Sequence, residues 1–237
     1  MDSSLGAKLF PEDAQLSGDC GILIPAFNEE AGVAVVLKVA LASNLGPVLV
    51  VDDGSNDQTT NIALKAGANV LKLAENQGKG GAVYAGARIL DTRVILMLDA
   101  DLTGLTTKHL LDLANPVLKG DLDMTRGIFT GGRFSTTAAQ QLAPYLNGQR
   151  ALLREKLLAL PNFKEARFGI EVIITRGAEK HKWRWQDVPL KDVSQVMKEE
   201  KRGFWMGVNY RIKMYYDLIS TWFRSKENRK KKKEESY

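Results

Sequence analysis

Leu96-Met97-Leu98-Asp99-Ala100-Asp101-Leu102-Thr103 is the stretch that decides the fold. The apolar run from Val94 to Leu98 has the length and branched content of a buried strand, and it stops at two carboxylates one residue apart. In an open α/β sheet, ligands sit beyond the carboxyl ends of the strands. Asp99 and Asp101 would therefore project into a crevice. Two hard oxygen donors at that spacing suit Mg²⁺ or Mn²⁺, with phosphate oxygens completing the shell. One Asp-x-Asp also fits a solvated strand-to-loop turn, so the other strand ends have to decide between the two.

Upstream, Gly21-Ile22-Leu23-Ile24-Pro25 is a short apolar strand stopped by proline. Asn28 then reads as an N-cap, with Glu29 and Glu30 in the first turn of a helix through Val33, Val36, Leu37 and Ala40. A second strand, Pro47 to Val51, runs into Asp52-Asp53-Gly54-Ser55-Asn56-Asp57, where Asp57 can cap a helix from Gln58 to Ala66. Asn69 to Leu73 is a third strand, and Gly78-Lys79-Gly80-Gly81 opens a helix reaching about Leu90. Strands alternating with helices at this spacing predict a doubly wound, mostly parallel sheet with flanking helices. Right-handed crossovers then gather the strand ends on one rim. Asn28, Asp53 and Asp101 converge there, and solubility alone does not explain three strand ends so equipped. Gly78 to Gly81 is neither a Walker motif nor G-x-G-x-x-G.

The length of 237 residues suits one α/β domain with a sizeable core. A lone Cys20 permits no intrachain disulfide, and no residues have zinc-cluster spacing, which fits a reducing, cytoplasmic setting. The polar start does not read as a signal peptide, and no apolar run approaches the roughly 18 residues of a membrane span. The net charge of +5 is concentrated: Arg224 to Tyr237 alone carries +4. The body is nearly neutral, so the charge does not argue for a nucleic-acid partner.

Four ordered motifs carry a resemblance. Ile24-Pro25-Ala26-Phe27-Asn28-Glu29-Glu30, Val50-Val51-Asp52-Asp53-Gly54-Ser55, Asn76-Gln77-Gly78-Lys79-Gly80 and Asp99-Ala100-Asp101 stand in the order and spacing of family 2 glycosyltransferases. The match covers roughly 20–133 and continues more loosely to about 201. The chain looks most like the dolichyl- and polyprenyl-phosphate sugar synthases and the glucosyl-phosphoglycerate synthases. The resemblance implies a GT-A fold and a nucleotide-sugar donor. It implies that Pro25, Ala26 and Glu29, together with Asn28, line the base and ribose, that Asp53 accepts from the base, and that Lys79 lies near base or diphosphate. Asp99 would contact ribose or a metal-bound water and Asp101 the metal, with Ala100 between them at the donor site. Both aspartates are thus candidate ligands for Mg²⁺ or Mn²⁺.

The second half is less regular. Thr106 to Leu118 reads as a helix disturbed by Pro116, and Leu122 to Arg126 as a strand. Arg126 and Arg133 flank a glycine-rich loop, and the resemblance suggests that arginines hereabouts bind an acceptor phosphate. A guanidinium pairs bidentately with phosphate oxygens; a plain surface loop fits the residues equally. Asn147-Gly148-Gln149-Arg150 opens a predicted helix and looks like the family's acceptor segment, with Gln149 and Arg150 on the acceptor. Val172 to Thr175 is strand-like by propensity, but the resemblance favours a helix from Gly169. That makes Glu171 the acceptor-side carboxylate, or simply a helix N-terminal acid. Trp183 to Val188 alternates as a strand, its tryptophans reading as packing. His109 and His181 match no ligand spacing. Gln195 stands where a third, histidine metal ligand would be sought in relatives.

Trp205, Val208, Ile212, Tyr215, Ile219 and Trp222 form an amphipathic, aromatic helical stripe that leads to Lys230-Lys231-Lys232-Lys233. It reads either as a helix docked on the body with a disordered tail, or as attachment to an anionic membrane surface. The expected organisation is a lead-in (1–19), a catalytic domain (20–202, nucleotide half 20–125, acceptor half 126–202), the amphipathic helix (203–223) and a basic tail (224–237). The expected activity is metal-dependent sugar transfer to a phosphorylated acceptor, polyprenyl phosphate foremost. The alternatives are a small soluble acceptor such as phosphoglycerate, or a catalytically silent nucleotide-sugar-binding scaffold. The expected location is cytoplasmic, or peripheral at the cytoplasmic membrane face.

Overall fold

The computed structural model describes residues 9–11, 15–130, 148–161, 163–164, 166 and 169–195. All lie in the first of the two units into which the chain divides, Met1–Val196. The elements in order are β1 (Leu16–Ala26), α1 (Val33–Ala42), β2 (Val48–Asp52), α2 (Thr59–Lys65), β3 (Asn69–Lys72), α3 (Gly78–Ile89), β4 (Leu90–Met97) and β5 (Leu102–Thr103). They continue with α4 (Thr107–Leu118), β6 (Met124–Thr130), β7 (Arg150–Leu153), α5 (Arg154–Leu158), α6 (Ile170–Lys180), β8 (Trp185–Lys191) and β9 (Ser194–Gln195).

Seven strands form one sheet in the order β3-β2-β1-β4-β7-β6-β8, and β5 pairs separately with β9. Strands β1 to β4 and the β6–β8 pair are parallel, while β7 runs antiparallel to both its neighbours. The sheet has two buried faces because its central strands are apolar on both. In β2, Val48 and Val50 join one core while Leu49 and Val51 join the other; in β4, Val94 and Leu96 face one core while Ile95 and Met97 face the other. Helices α1 and α4 cover the first face, and α3, α5 and α6 the second. Each fully buried Val or Leu of these strands contributes roughly 1.5–3 kcal/mol relative to exposure. Cys20 sits inside the first core, where burial pushes its thiol up to about 12.

Four features differ from the sequence expectation. β1 begins at Leu16, inside the expected lead-in, because Leu16, Ser17 and Gly18 pair with Leu90, Asp91 and Thr92 of a β4 that starts directly off α3. Asn28 does not cap α1: it has φ +53°, and α1 starts four residues after Glu29 behind Gly32. The segment after Asn147 opens not as a helix but as strand β7, and only the five residues of α5 follow. The strand expected to end at Arg126 continues as β6 to Thr130, through the first part of the expected glycine-rich loop. The helix expected from Gly169 is present as α6, Pro116 is tolerated within the last turn of α4, and His109 completes the α4 capping box with Thr106. Arg133, the 203–223 stripe and the basic tail lie outside the described residues. Among the described residues no helix is long and apolar enough to cross a membrane.

Candidate active site

The parallel strands end on one rim, and the loops there are laced together. After β1, the backbone N–H of Asn28 donates to Ser55 Oγ at 2.9 Å and that of Glu29 to Thr59 Oγ1 at 2.8 Å. In return the N–H of Asn56 donates to Asn28 Oδ1 at 3.0 Å, and that of Gln58 to Glu30 Oε2 at 3.0 Å. The left-handed turn at Asn28 thus serves the β2 loop rather than a helix cap. Pro25 is half-buried and Ala26 buried at the end of β1. Ala26 lies opposite Asp52 and accepts from the N–H of Asp53 at 2.8 Å. The Asp53 carboxylate is buried and accepts from the N–H of Gln77 at 2.7 Å and of Gly78 at 2.8 Å. It therefore satisfies the free amides at the start of α3, where the helix dipole favours an anion.

Aligning those amides fixes the first turn of α3 and with it Lys79. The Lys79 Nζ donates to Asp99 Oδ1 and to Glu171 Oε1, both at 2.5 Å. Burial alone would push this ammonium down; the two carboxylates outweigh it and hold it above the ordinary lysine range. Burial likewise opposes the charge on Asp99, and the Lys79 ammonium, aided by Gln149, overcomes it to hold the carboxyl below the usual range. Asp99 Oδ2 accepts from Gln149 Nε2 at 2.9 Å and from Gln195 Nε2 at 3.2 Å.

The antiparallel strand explains how Gln149 arrives there. β7 pairs Arg150 with Met97 at the end of β4, so its amino end comes to the same rim as the carboxyl ends of its neighbours. Gly148 fits between the charges: a Cβ there would lie 2.5 Å from Asp99 Oδ1 and 2.6 Å from Lys79 Nζ. On the other side of the Asp-x-Asp turn, a Cβ at Gly32 would lie 2.7 Å from the Ala100 carbonyl oxygen. The start of α1 thereby rests against the turn that carries buried Ala100 and half-buried Asp101.

Three residues expected on the acceptor, Arg126, Gln149 and Arg150, are buried among protein partners. Gln149 and Arg150 are fully buried. Arg150 donates to the Glu171 main-chain carbonyl at 3.2 Å and to Thr175 Oγ1 at 3.3 Å, beneath the first turn of α6. Burial pushes its guanidinium down to about 10, with the Glu171 and Asp99 carboxylates opposing that shift. A group without accessible surface supports the site from below. Arg126, also buried, makes a bidentate pair with Asp187 at 2.7 and 3.0 Å and stacks over Trp185 at 4.7 Å. Asp187 was not legible as its partner, because it is 61 residues away and meets Arg126 only through the β6–β8 register.

Asp99 and Asp101 are the carboxylates of the Asp-x-Asp turn that could hold a divalent cation. Asp101 is half-exposed on the rim. Asp99 Oδ1 accepts from Lys79 and Oδ2 from Gln149 and Gln195, so a metal at Asp99 would share the carboxylate with these donors. Gln195 presents its amide nitrogen to Asp99, consistent with a side chain that is no third ligand. Among the described residues no group of three or more His, Cys, Asp or Glu gathers to hold a metal.

The chain matches the family model Glycosyl transferase family 2 over residues 21–173 and belongs to that family. Dolichyl-phosphate beta-glucosyltransferase of Mus musculus is 37% identical over 97 residues, covering 34% of this chain and 30% of the mouse protein. Glycosyltransferase AglJ of Haloferax volcanii is 31% identical over 169 residues, covering 63% of this chain and 55% of that protein. The matches thus span between 30% and 55% of the length of these relatives. Among solved structures, glucosyl-3-phosphoglycerate synthase from Mycobacterium tuberculosis in complex with Mn²⁺, UDP and glucosyl-3-phosphoglycerate superposes with TM-score 0.64 at 20% identity, covering 77% of this chain and 73% of that one. At that identity the likeness speaks for the fold, which is GT-A-like. The same enzyme has also been solved with Mg²⁺ and UDP.

Proposed function

We propose that this glycosyltransferase moves a sugar from a nucleotide-sugar donor to a phosphorylated acceptor with the help of a divalent cation. The observation that carries the reading is the meeting of Asp53, Lys79, Asp99, Asp101 and Glu171 on one rim, with Lys79 2.5 Å from Asp99 in the donor half and 2.5 Å from Glu171 in the acceptor half. Pro25, Ala26, Asn28, Glu29 and Asp53 would line the base and ribose. A UDP-sugar is favoured, in keeping with the UDP held by the mycobacterial structure, with GDP-mannose as the alternative.

In this reading the leaving group is a nucleoside diphosphate. Asp101 would hold Mg²⁺ or Mn²⁺, whose role when bound is to neutralise charge developing on that diphosphate. Asp99, fixed by three donors, would orient the ribose or sugar. An acceptor phosphate is already ionised near neutral pH, so it needs positioning rather than a strong base. Glu171 would orient the acceptor or sugar, and would act as a base only for a hydroxyl acceptor. Arg126 is already paired with Asp187, which leaves Arg133 as the arginine of that pair proposed for the acceptor phosphate.

Polyprenyl phosphate is the acceptor proposed first, on the relative that acts on dolichyl phosphate and on the aromatic stripe and basic tail of the sequence. Phosphoglycerate is the second reading, favoured by the likeness to the phosphoglycerate-binding fold. Incubating the protein with labelled UDP-glucose or GDP-mannose, Mn²⁺ and each acceptor separates them. Transfer to the lipid phosphate that weakens when 224–237 is removed supports the first. Transfer to phosphoglycerate alone supports the second, and no transfer with any donor favours a silent binding protein.

A further inference from the structure

The proposed reaction asks a rim that already carries Asp99, Asp101 and Glu171 to take in two more anions, a nucleoside diphosphate and a phosphorylated acceptor. Like charges at such separations oppose one another strongly in partly buried surroundings. Lys79 is the cation that two of these carboxylates share. Its Nζ lies 2.5 Å from Asp99 Oδ1 and 2.5 Å from Glu171 Oε1, and those side chains are only 12% and 8% exposed. The three residues come from the first turn of α3, the end of β4 and the first turn of α6, so the contact also ties the two halves of the fold together. An ammonium has three hydrogens; two go to the carboxylates, and the side chain is 25% exposed, which leaves one donor for the site. The Asp99 oxygen turned away from Lys79 is bound by the neutral amides of Gln149 and Gln195. Gly148, with no side chain to separate Lys79 from Asp99, preserves the arrangement.

We propose that Lys79 is a positioning residue, a shared counter-ion that screens Asp99 and Glu171 so that the rim accepts anionic ligands, and that it acts chiefly through those carboxylates rather than by gripping the ligand. The inference rests on the donor reading above only for the choice of probe. Without Lys79, two largely buried carboxylates lose the cation that hydrogen-bonds both, Arg150 remains as the nearby positive charge, repulsion between the first turn of α6 and the end of β4 rises, and an incoming diphosphate meets more negative charge.

The test compares the full-length wild type with Lys79→Met, Glu171→Gln and the double variant, by thermal unfolding without ligand and by calorimetric binding of UDP with Mn²⁺. Breaking a buried pair by removing one partner is costly, so Lys79→Met should lower Tm by roughly 5–10 °C and weaken UDP binding about tenfold or more. Adding Glu171→Gln to that variant should recover more than half of both losses. A double variant that unfolds and binds no better than Lys79→Met, the two changes simply adding, overturns the proposal. Recovery of Tm without recovery of UDP affinity also overturns it, because Lys79 would then hold the ligand itself. A wild type that binds neither UDP nor GDP counts against the donor reading instead, and the unfolding comparison still decides whether Lys79 is a shared counter-ion.

Discussion

Individual charged residues in this protein divide into those that serve the rim and those that serve the sheet. Asp123 belongs to the second group. Its carboxylate accepts from the Arg184 N–H at 2.9 Å, from the Arg184 guanidinium at 3.1 Å, and pairs with Lys156 at 3.3 Å. Burial opposes its charge, but the Arg184 and Lys156 contacts outweigh it and hold the carboxyl below its usual range. A depressed carboxyl stabilises the fold above its unfolded value, near 3.9, and that contribution is lost as pH falls through the folded value. The stability advantage of wild type over Asp123→Asn should therefore be full at pH 6 and shrink below about pH 4, which urea titrations across that range will read. Arg126 offers a second case. Because Asp187 is 36% exposed, Asp187→Asn should cost only about 1–2 kcal/mol, below the loss from a fully buried pair. Denaturant midpoints for that variant check the figure.

At the level of elements, the decisive one is β7, a four-residue strand inserted between β4 and β6 with reversed polarity. Its direction delivers Gly148 and Gln149 to the rim, and its placement puts Arg150 under α6. Gly148→Ala would set a methyl 2.5 Å from Asp99 Oδ1 and 2.6 Å from Lys79 Nζ. Lys79 would have to withdraw, and a displacement of that size lowers kcat by about 100-fold while leaving the two cores untouched. A transfer assay alongside thermal unfolding distinguishes that outcome from simple destabilisation. β7 also shows where sequence reasoning stopped. The strands β1 to β4 were legible because each is a compact apolar run ended by a turn residue or carboxylate, and the order of Asn28, Asp53 and Asp101 followed from the crossover rule. Arg150-Ala151-Leu152-Leu153 has strong helix formers, and its strand state comes from the vacancy between β4 and β6, a tertiary demand that no local pattern announces. The same holds for the Lys79–Glu171 contact, which joins residues 92 apart. Both residues were singled out from the sequence, but their mutual contact depends on the fold bringing the first turns of α3 and α6 together.

As a whole, the described residues form a two-faced sheet whose helices bury both sides and leave a charged rim at the strand ends. The chain's membership of glycosyl transferase family 2 accounts for the order of the rim motifs, and the proposed metal-dependent transfer accounts for a half-exposed Asp101 beside an Asp99 held by Lys79, Gln149 and Gln195. The central claim is that Asp101 anchors the cation for sugar transfer. The direct measurement is single-turnover transfer or hydrolysis of labelled UDP-glucose and GDP-mannose with Mn²⁺, in wild type and Asp101→Ala, with Mn²⁺ binding followed by its paramagnetic resonance signal. The account predicts that wild type turns over at least one donor, and that Asp101→Ala loses roughly 100-fold or more of that rate together with UDP-dependent Mn²⁺ binding. Wild-type turnover and wild-type Mn²⁺ binding in the Asp101→Ala protein would contradict it.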